Sequence, residues 1–156
     1  MDTDQPRSTH RSSPCVGICS TTYGDLVCRG CKRFAHEIVK WNGFDPEQRA
    51  AVWGRLQELR EGAIGQWLRV CGHDLLMARA ELGNIPGRNE ISALNLAYEV
   101  LRTTQMPLIR LVEIGIEAQL NDASKRWSRD LVRQIDLEFY ARSLAHYEHN
   151  FKIAAQ

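Results

Sequence analysis

The chain has 156 residues and a mass of 17.8 kDa, which is about the length of one domain. Apolar residues make up 44% of it and charged residues 25%, and this composition excludes a collagen-like or wholly disordered chain. Its 20 basic and 19 acidic residues leave a net charge of +1, which argues against a protein whose main task is to neutralise nucleic acid. Charge-free stretches such as Ile91–Tyr98 are far shorter than a membrane span, and the polar N-terminus lacks the apolar core of a signal peptide. We therefore expect a cytoplasmic protein without a membrane anchor.

The N-terminal part of the chain divides into a tail and a cysteine-rich module. Residues 1–13 are polar and lack apolar periodicity, which predicts a disordered tail. Residues 14–60 hold four of the five cysteines, and we predict that they form a metal-binding module with two short helices. The first part of this module, up to Cys31, offers few large apolar side chains, so it needs an external constraint to become ordered.

Helical signals begin directly after the last cysteine of the module. Phe34, Ile38 and Trp41 lie on one face of a predicted short helix. A second helix is predicted to begin at the N-cap residue Asp45, with Gln48 completing a capping box.

Residues 61–156 also give helical patterns, and we predict a multi-helix bundle that packs with the module as one unit. An apolar stripe from Ile64 to Leu76 predicts a continued helix with Cys71 as a buried structural thiol. Pro107 is expected to open a further helix, and Ser124 to cap a long final one. No segment alternates regularly enough to predict a strand. The predicted fold is mostly α, with a four-cysteine metal-binding loop at its N-terminal end.

The cysteines of the module carry the strongest chemical signal in the sequence. Cys15, Cys19, Cys28 and Cys31 have the spacing C-x3-C-x8-C-x2-C, in which each short pair can supply two thiolates from one turn. Two such pairs predict a closed site with four sulfur ligands and no open position for a substrate. Since the chain also lacks a recognisable catalytic constellation, the sequence favours a non-enzymatic protein over an enzyme.

The spacing leaves the identity of the metal centre open. One zinc ion is slightly favoured by the spacing of the pairs, one iron–sulfur cluster is favoured by all-cysteine ligation, and disulfides fit poorly with a reducing compartment. We expect backbone N–H groups and cationic side chains near the ligands to offset the charge of the thiolates. The residues expected to surround the ligands are Gly17, Gly30, Arg29, Lys32, Arg33 and His36.

The stretch Pro14-Cys15-Val16-Gly17-Ile18-Cys19, followed by Cys28-Arg29-Gly30-Cys31-Lys32-Arg33, resembles the bacterial domain-of-unknown-function family 1289. The resemblance covers about residues 14–60 and continues through Glu37, Ile38, Trp41, Pro46, Arg49, Trp53 and Leu56. Members are small cysteine-rich proteins described as predicted iron–sulfur proteins, without an established activity. The resemblance therefore implies metal binding in a bacterial cytoplasm and no particular reaction. Family members commonly have Gly directly after the last cysteine and Thr two positions later, where this chain has Lys32 and Phe34.

Three functions are compatible with these features. The first is a metal-binding interaction or accessory protein whose partner is another protein. The second is an iron–sulfur protein for electron transfer or redox sensing. The third is a nucleic-acid-binding zinc module, which two basic clusters near Trp41 and Trp127 suggest. These clusters contain Arg29, Lys32, Arg33 and Lys40, and Lys125, Arg126, Arg129 and Arg133.

Overall fold

A computed structural model of the chain describes residues 13–17, 19–121 and 126–152. In this part of the chain the fold is mostly α-helical, as predicted. The α-helices are α1 (Ala35–Lys40), α2 (Pro46–Trp67), α3 (His73–Leu82), α4 (Ala93–Arg102) and α5 (Ser128–Tyr147). Short 3-10 helices cover Ser20–Tyr23, Trp41–Gly43 and Leu108–Ile114, and a π-helical turn covers Glu148–Lys152. None of the helices in the described ranges has the length and apolar character that crossing a bilayer requires.

Two short strands, β1 (Leu68–Val70) and β2 (Ile116–Ala118), form an antiparallel pair with Leu68 opposite Ala118. The chain divides into two compact units. The first contains the described residues 13–59 and 140–152, and the second comprises Arg60–Phe139. The long helices α2 and α5 contribute residues to both units.

The first unit is built on a short hairpin that carries the second pair of cysteines. Val27 and Phe34 face each other across it as an antiparallel bridge, and both are almost fully buried. The rings of Tyr147 and Phe151 meet the Phe34 ring edge-on, at centroid distances of 5.1 and 5.5 Å. These aromatic contacts give the hairpin an apolar core.

A buried ion pair ties the end of the hairpin to α1 and α2. The Glu37 carboxylate accepts hydrogen bonds from both terminal nitrogens of Arg55, each at 2.6 Å, and from the Phe34 backbone N–H at 2.8 Å. The Arg55 guanidinium also lies over the Phe34 ring, 4.0 Å from its centroid. One carboxylate thus connects three segments of the first unit.

The start of α2 confirms the predicted capping box. Asp45 Oδ1 accepts the Gln48 N–H at 2.8 Å, and Gln48 Oε1 accepts the Asp45 N–H at 2.9 Å. These reciprocal bonds satisfy donors that a helix N-terminus otherwise leaves without partners.

In the second unit, the backbone of Gly115 approaches that of Gly72 closely. Gly115 has a φ of +82°, and a Cβ atom at this position would lie 2.1 Å from the Gly72 carbonyl oxygen. The Gly115 carbonyl accepts the N–H groups of Cys71 and Gly72 at 2.8 and 3.2 Å. Only glycine combines this φ with this proximity.

Several expectations for the second unit are wrong. The predicted helical stripe from Ile64 to Leu76 is interrupted by β1, because the backbone of β1 pairs with β2, a segment far away in sequence. Cys71 consequently lies in an exposed loop instead of the core. The segment after Pro107 forms a 3-10 helix and not an α-helix; it stops at the left-handed Gly115 and continues as β2. The expected N-cap Ser124 and residues 1–12 of the expected tail lie outside the described residues.

Candidate metal centre

Cys28 and Cys31 lie in the tight turn at the tip of the hairpin. The turn is closed by two backbone hydrogen bonds of 2.9 Å, from Lys32 N–H to the Cys28 carbonyl and from Cys28 N–H to the Arg33 carbonyl. Lys32 adopts a φ of +66°, the left-handed conformation that normally favours glycine. A C-x2-C pair on such a turn presents two thiols from one short loop, as a chelating pair requires.

Backbone N–H groups surround the Cys28 sulfur, although the residue is almost fully buried. Burial raises the pKa of the Cys28 thiol, but hydrogen bonds from the backbone N–H groups of Cys31, Ser20 and Gly30, together with the Cys31 thiol, outweigh it and lower the pKa to about 7. Hydrogen bonds to the charged form stabilise a thiolate. The lowered pKa of Cys28 increases the share of its thiolate form near neutral pH, and the thiolate is the form that binds metals.

Cys31 is paired with a buried arginine. Arg33 Nε lies 3.3 Å from Cys31 Sγ, and the Arg33 side chain also stacks on Trp41, 4.9 Å from the ring centroid. Burial raises the pKa of Cys31, and the hydrogen bond and charge of Arg33 offset part of this rise. In the described part of the chain, no carboxylate lies within ion-pair distance of Arg33.

The other two cations near the turn differ in exposure. Lys32 is 2% exposed, and its Nζ donates to the carbonyl oxygens of Arg29 and Gly30 at 2.6 and 3.0 Å. Arg29 is largely exposed; it pairs with Asp25 at 3.2 Å and lies over the Tyr140 ring. Lys32 thus brings a buried positive charge to the carbonyl oxygens of the cysteine turn.

The first cysteine pair is less enclosed. Cys15 is exposed and Cys19 is half-buried. The Gly17 N–H donates to Cys15 Sγ at 3.4 Å, and Gly17 has a φ of +97°. Cys19 Sγ and Thr21 Oγ1 form a hydrogen bond of 2.8 Å, which lowers the pKa of Cys19.

Ser20 links the two cysteine pairs, a role that the sequence analysis does not assign to it. It directly follows Cys19, and its backbone N–H donates to the Cys28 sulfur. Its hydroxyl oxygen accepts the Arg29 N–H at 2.8 Å. The signal in the sequence is a hydroxyl residue beside a cysteine, and this is too common to identify such a link without coordinates.

The structure brings the expected ligands together in part. Cys28 and Cys31 share one turn, and Cys19 lies near enough to Cys28 for a negative charge on one to raise the pKa of the other. Across residues 13–17, 19–121 and 126–152, no three His, Cys, Asp or Glu side chains are already arranged to hold a metal ion. His36 is exposed, and its ring lies against Phe34 and Phe151 at 5.8 and 5.2 Å.

The residues present fit a thiolate-bound metal centre by their chemistry. All five cysteines carry free thiols. The buried Arg33 guanidinium is directed at the Cys31 sulfur, and buried cations require an anionic partner. Four thiolates around a divalent ion would supply that negative charge.

Comparison with known proteins agrees with the motif. Residues 13–60 match the model of a family described as a protein of unknown function, DUF1289. This match confirms the resemblance for that segment, which is less than half of the chain. No curated protein and no solved structure matches the chain.

Proposed function

We propose that Cys15, Cys19, Cys28 and Cys31 bind one zinc ion, and that the protein is a non-enzymatic interaction or accessory protein of the bacterial cytoplasm. The main support is the buried Arg33 guanidinium 3.3 Å from the Cys31 sulfur. When bound, the ion would act as a cross-link between two segments of the chain and would contribute no reaction.

The charges near the turn are consistent with such a site. Zinc with four thiolates carries a net charge of −2, and a charge of this size is costly in a partly buried position unless cations lie nearby. Arg33 is buried with its Nε beside the Cys31 sulfur and can offset part of it. The N–H groups around Cys28 also stabilise the thiolate that ligation requires.

An iron–sulfur cluster on the same four cysteines is the second candidate. Hydrogen bonds from backbone N–H groups to sulfur, as at Cys28, are also a means by which proteins set the potential of such clusters. The protein would then serve in electron transfer or redox sensing.

Binding of nucleic acid at the basic cluster near Trp41 has less support. Two of the four cations near Trp41, Lys32 and Arg33, are buried, and Arg29 is paired with Asp25. Phosphate contacts need accessible cations, so this cluster offers little free positive charge. We therefore propose another protein, and not nucleic acid, as the binding partner.

Metal analysis of anaerobically purified protein tests the proposal. We expect one zinc per chain, a colourless protein, and loss of the zinc in Cys31→Ser. Cys71→Ser removes an exposed cysteine outside the cluster and is the matched control, for which we expect the zinc content of the wild type. A brown protein that contains iron and acid-labile sulfide would show that the centre is an iron–sulfur cluster and not zinc. A wild type without bound metal would reject both the zinc site and the iron–sulfur cluster.

A further inference from the structure

The 3-10 helix Leu108–Ile114 in the second unit leaves one apolar face exposed. Side chains three positions apart share a face of such a helix. The buried face consists of Leu108, Leu111 and Ile114. A second face carries an ion pair between Arg110 and Glu113 at 3.1 Å. The third face carries Ile109 and Val112, which are 62% and 51% exposed.

Trp127 places an aromatic ring at the start of this helix, on a firmly held backbone. It forms an antiparallel bridge with Pro107, the residue directly before the helix. The next residue, Ser128, is fully buried, and its hydroxyl donates to the Thr104 carbonyl at 2.7 Å. Because successive side chains of an extended segment point to opposite sides, Trp127 faces away from the core and is 41% exposed. A side chain on such a backbone loses little freedom when a partner binds.

Two arginines of α5 bring positive charge to the same edge of the second unit. The Arg129 guanidinium lies over the Trp127 ring, 6.0 Å from its centroid, and Arg133 follows one turn later on the same side of α5. Both arginines are exposed. Among the residues that the structure describes, neither has a carboxylate within ion-pair distance. The neighbouring Asp130 carboxylate accepts the Trp127 N–H at 2.9 Å.

We infer that Ile109, Val112, Trp127, Arg129 and Arg133, here called the Trp127 surface, form a docking site for an acidic segment of another protein. Apolar side chains of that segment would cover Ile109 and Val112, and its carboxylates would pair with the two arginines. The inference rests on the proposed role as an interaction protein and specifies its partner. It requires no metal, since all five residues belong to the second unit.

A protein segment fits the Trp127 surface better than a nucleic acid does. Nucleic acids are bound by rows of cations that contact phosphates and by aromatic faces on which bases stack. Here Arg129 lies over one face of the Trp127 ring, and the Glu113 and Asp130 carboxylates beside the surface would repel a continuous phosphate backbone. A short acidic segment can place a few carboxylates at the arginines and its apolar side chains on Ile109.

Selection from a library of random displayed peptides against the purified full chain tests the inference. We expect the enriched peptides to combine Asp or Glu with large apolar residues, and to bind less tightly as the salt concentration rises. No enrichment, or enrichment of peptides without acidic residues, would overturn the inference. It would also be overturned by a single-stranded oligonucleotide that binds more tightly and displaces the peptides, or by pairing of two copies of the chain through Ile109.

Matched variants locate the binding site of the selected peptides. Replacing Arg129 and Arg133 together by Glu reverses both charges, and we expect at least about a tenfold loss of affinity. Ile109→Ser should cost about tenfold as well. The controls are Lys40→Glu, an exposed cation of the first unit, and Leu82→Ser, an exposed apolar residue elsewhere in the second; both should bind as the wild type does. Equal effects in variants and controls would overturn the inference.

Metal analysis of the same preparation separates this inference from the proposed metal centre. A chain that contains zinc but selects no acidic peptide rejects the docking site alone. A chain without metal that still selects acidic peptides at the Trp127 surface rejects the metal centre and supports the docking site.

Discussion

Arg33 Nε lies 3.3 Å from Cys31 Sγ, and both side chains are almost completely buried. A buried guanidinium is rarely left without an anion, because removing its charge from water is costly. In the described part of the chain no carboxylate takes that role for Arg33. A thiolate at Cys31, as in the proposed metal site, would give the Arg33 guanidinium an anionic partner.

Arg33→Met should weaken zinc binding. It keeps much of the side-chain volume next to Trp41 but removes both the charge and the hydrogen bond to Cys31 Sγ. Loss of a partner that hydrogen-bonds to a metal ligand typically costs about 10- to 100-fold in affinity, and we expect a loss in that range. Competition with a chromophoric chelator measures it. Arg33→Lys keeps the charge and should bind more tightly than Arg33→Met; equal affinities would show that the charge is irrelevant.

Lys32 occupies a backbone conformation that suits glycine, with a φ of +66°. Lys32→Gly and Lys32→Ala both remove the buried ammonium group, but alanine must still adopt the left-handed conformation. That conformation costs about 1–2 kcal/mol in a residue with a Cβ atom. We therefore expect Lys32→Ala to be less stable than Lys32→Gly by about 1 kcal/mol in urea unfolding of the zinc-loaded proteins. Equal free energies of unfolding would contradict this explanation of the turn.

The ion pair between Glu37 and Arg55 should be important for the stability of the first unit. The side chains are 7% and 17% exposed, and removing one partner leaves the other charged group partly buried. Glu37→Gln should lower the free energy of unfolding by about 3 kcal/mol, at the lower end of the cost for a broken buried pair. Chemical denaturation followed by circular dichroism would measure the loss.

The pair of Arg69 and Glu117 provides the control for this prediction. Its side chains are 63% and 44% exposed, so water and salt screen the interaction. Glu117→Gln should therefore change stability much less than Glu37→Gln does. Similar losses in the two variants would show that burial does not set the strength of the Glu37 pair.

Local sequence signals predicted the first unit better than the second. The capping box at Asp45 depends on residues three positions apart, so it can be identified without a structure. The strand β1 depends on pairing with residues almost 50 positions later, and its apolar residues Leu68 and Val70 also fit a helical stripe. The exposed position of Cys71 cannot be predicted locally for the same reason, because it follows from where β1 ends.

In the candidate site, too, some features follow from neighbouring residues in the sequence and others depend on the fold. The four cysteines and the basic residues next to Cys28 and Cys31 can be identified from the sequence alone. The burial of Lys32 and Arg33 does not, because it depends on how the hairpin packs within the first unit. The contact of Ser20 with Cys28 is likewise a product of the fold between positions 20 and 28, which no short-range pattern encodes.

The close approach of Gly115 to Gly72 predicts a strong effect of a single methyl group. Gly115→Ala places a Cβ atom 2.1 Å from the Gly72 carbonyl oxygen and requires a φ of +82°. We expect a loss of at least about 2 kcal/mol in the free energy of unfolding, because the backbone must shift and alanine resists this conformation. Gly54→Ala is the matched control; it lies inside α2 with open space around its Cβ position, and we expect a gain of about 0.5–1 kcal/mol. Thermal unfolding that shows no difference between the two variants would refute the predicted contact.

Replacement of a cysteine in the buried turn should have a local effect on structure. Among the described residues between 14 and 26, Val16, Tyr23 and Leu26 are 57%, 89% and 44% exposed, while ordering each residue costs about 1–2 kcal/mol of backbone entropy. Zinc binding, worth roughly 10–16 kcal/mol in small structural sites, can offset much of this cost. The helices after Asp45 have apolar contacts of their own, and α2 and α4 also have side-chain N-caps.

We therefore expect Cys28→Ser to remove amide protection from residues 14–33 and to loosen Phe34, Ile38 and Trp41, while the later helices keep their protection. Hydrogen exchange with mass spectrometry measures this, with zinc-loaded wild type and Cys71→Ser as references. Unchanged protection of 14–33 would mean that the cysteines do not constrain this segment. Loss of protection throughout the chain would mean that the cysteine turn organises both compact units, because only then could removal of one thiol reach helices that have buried faces of their own.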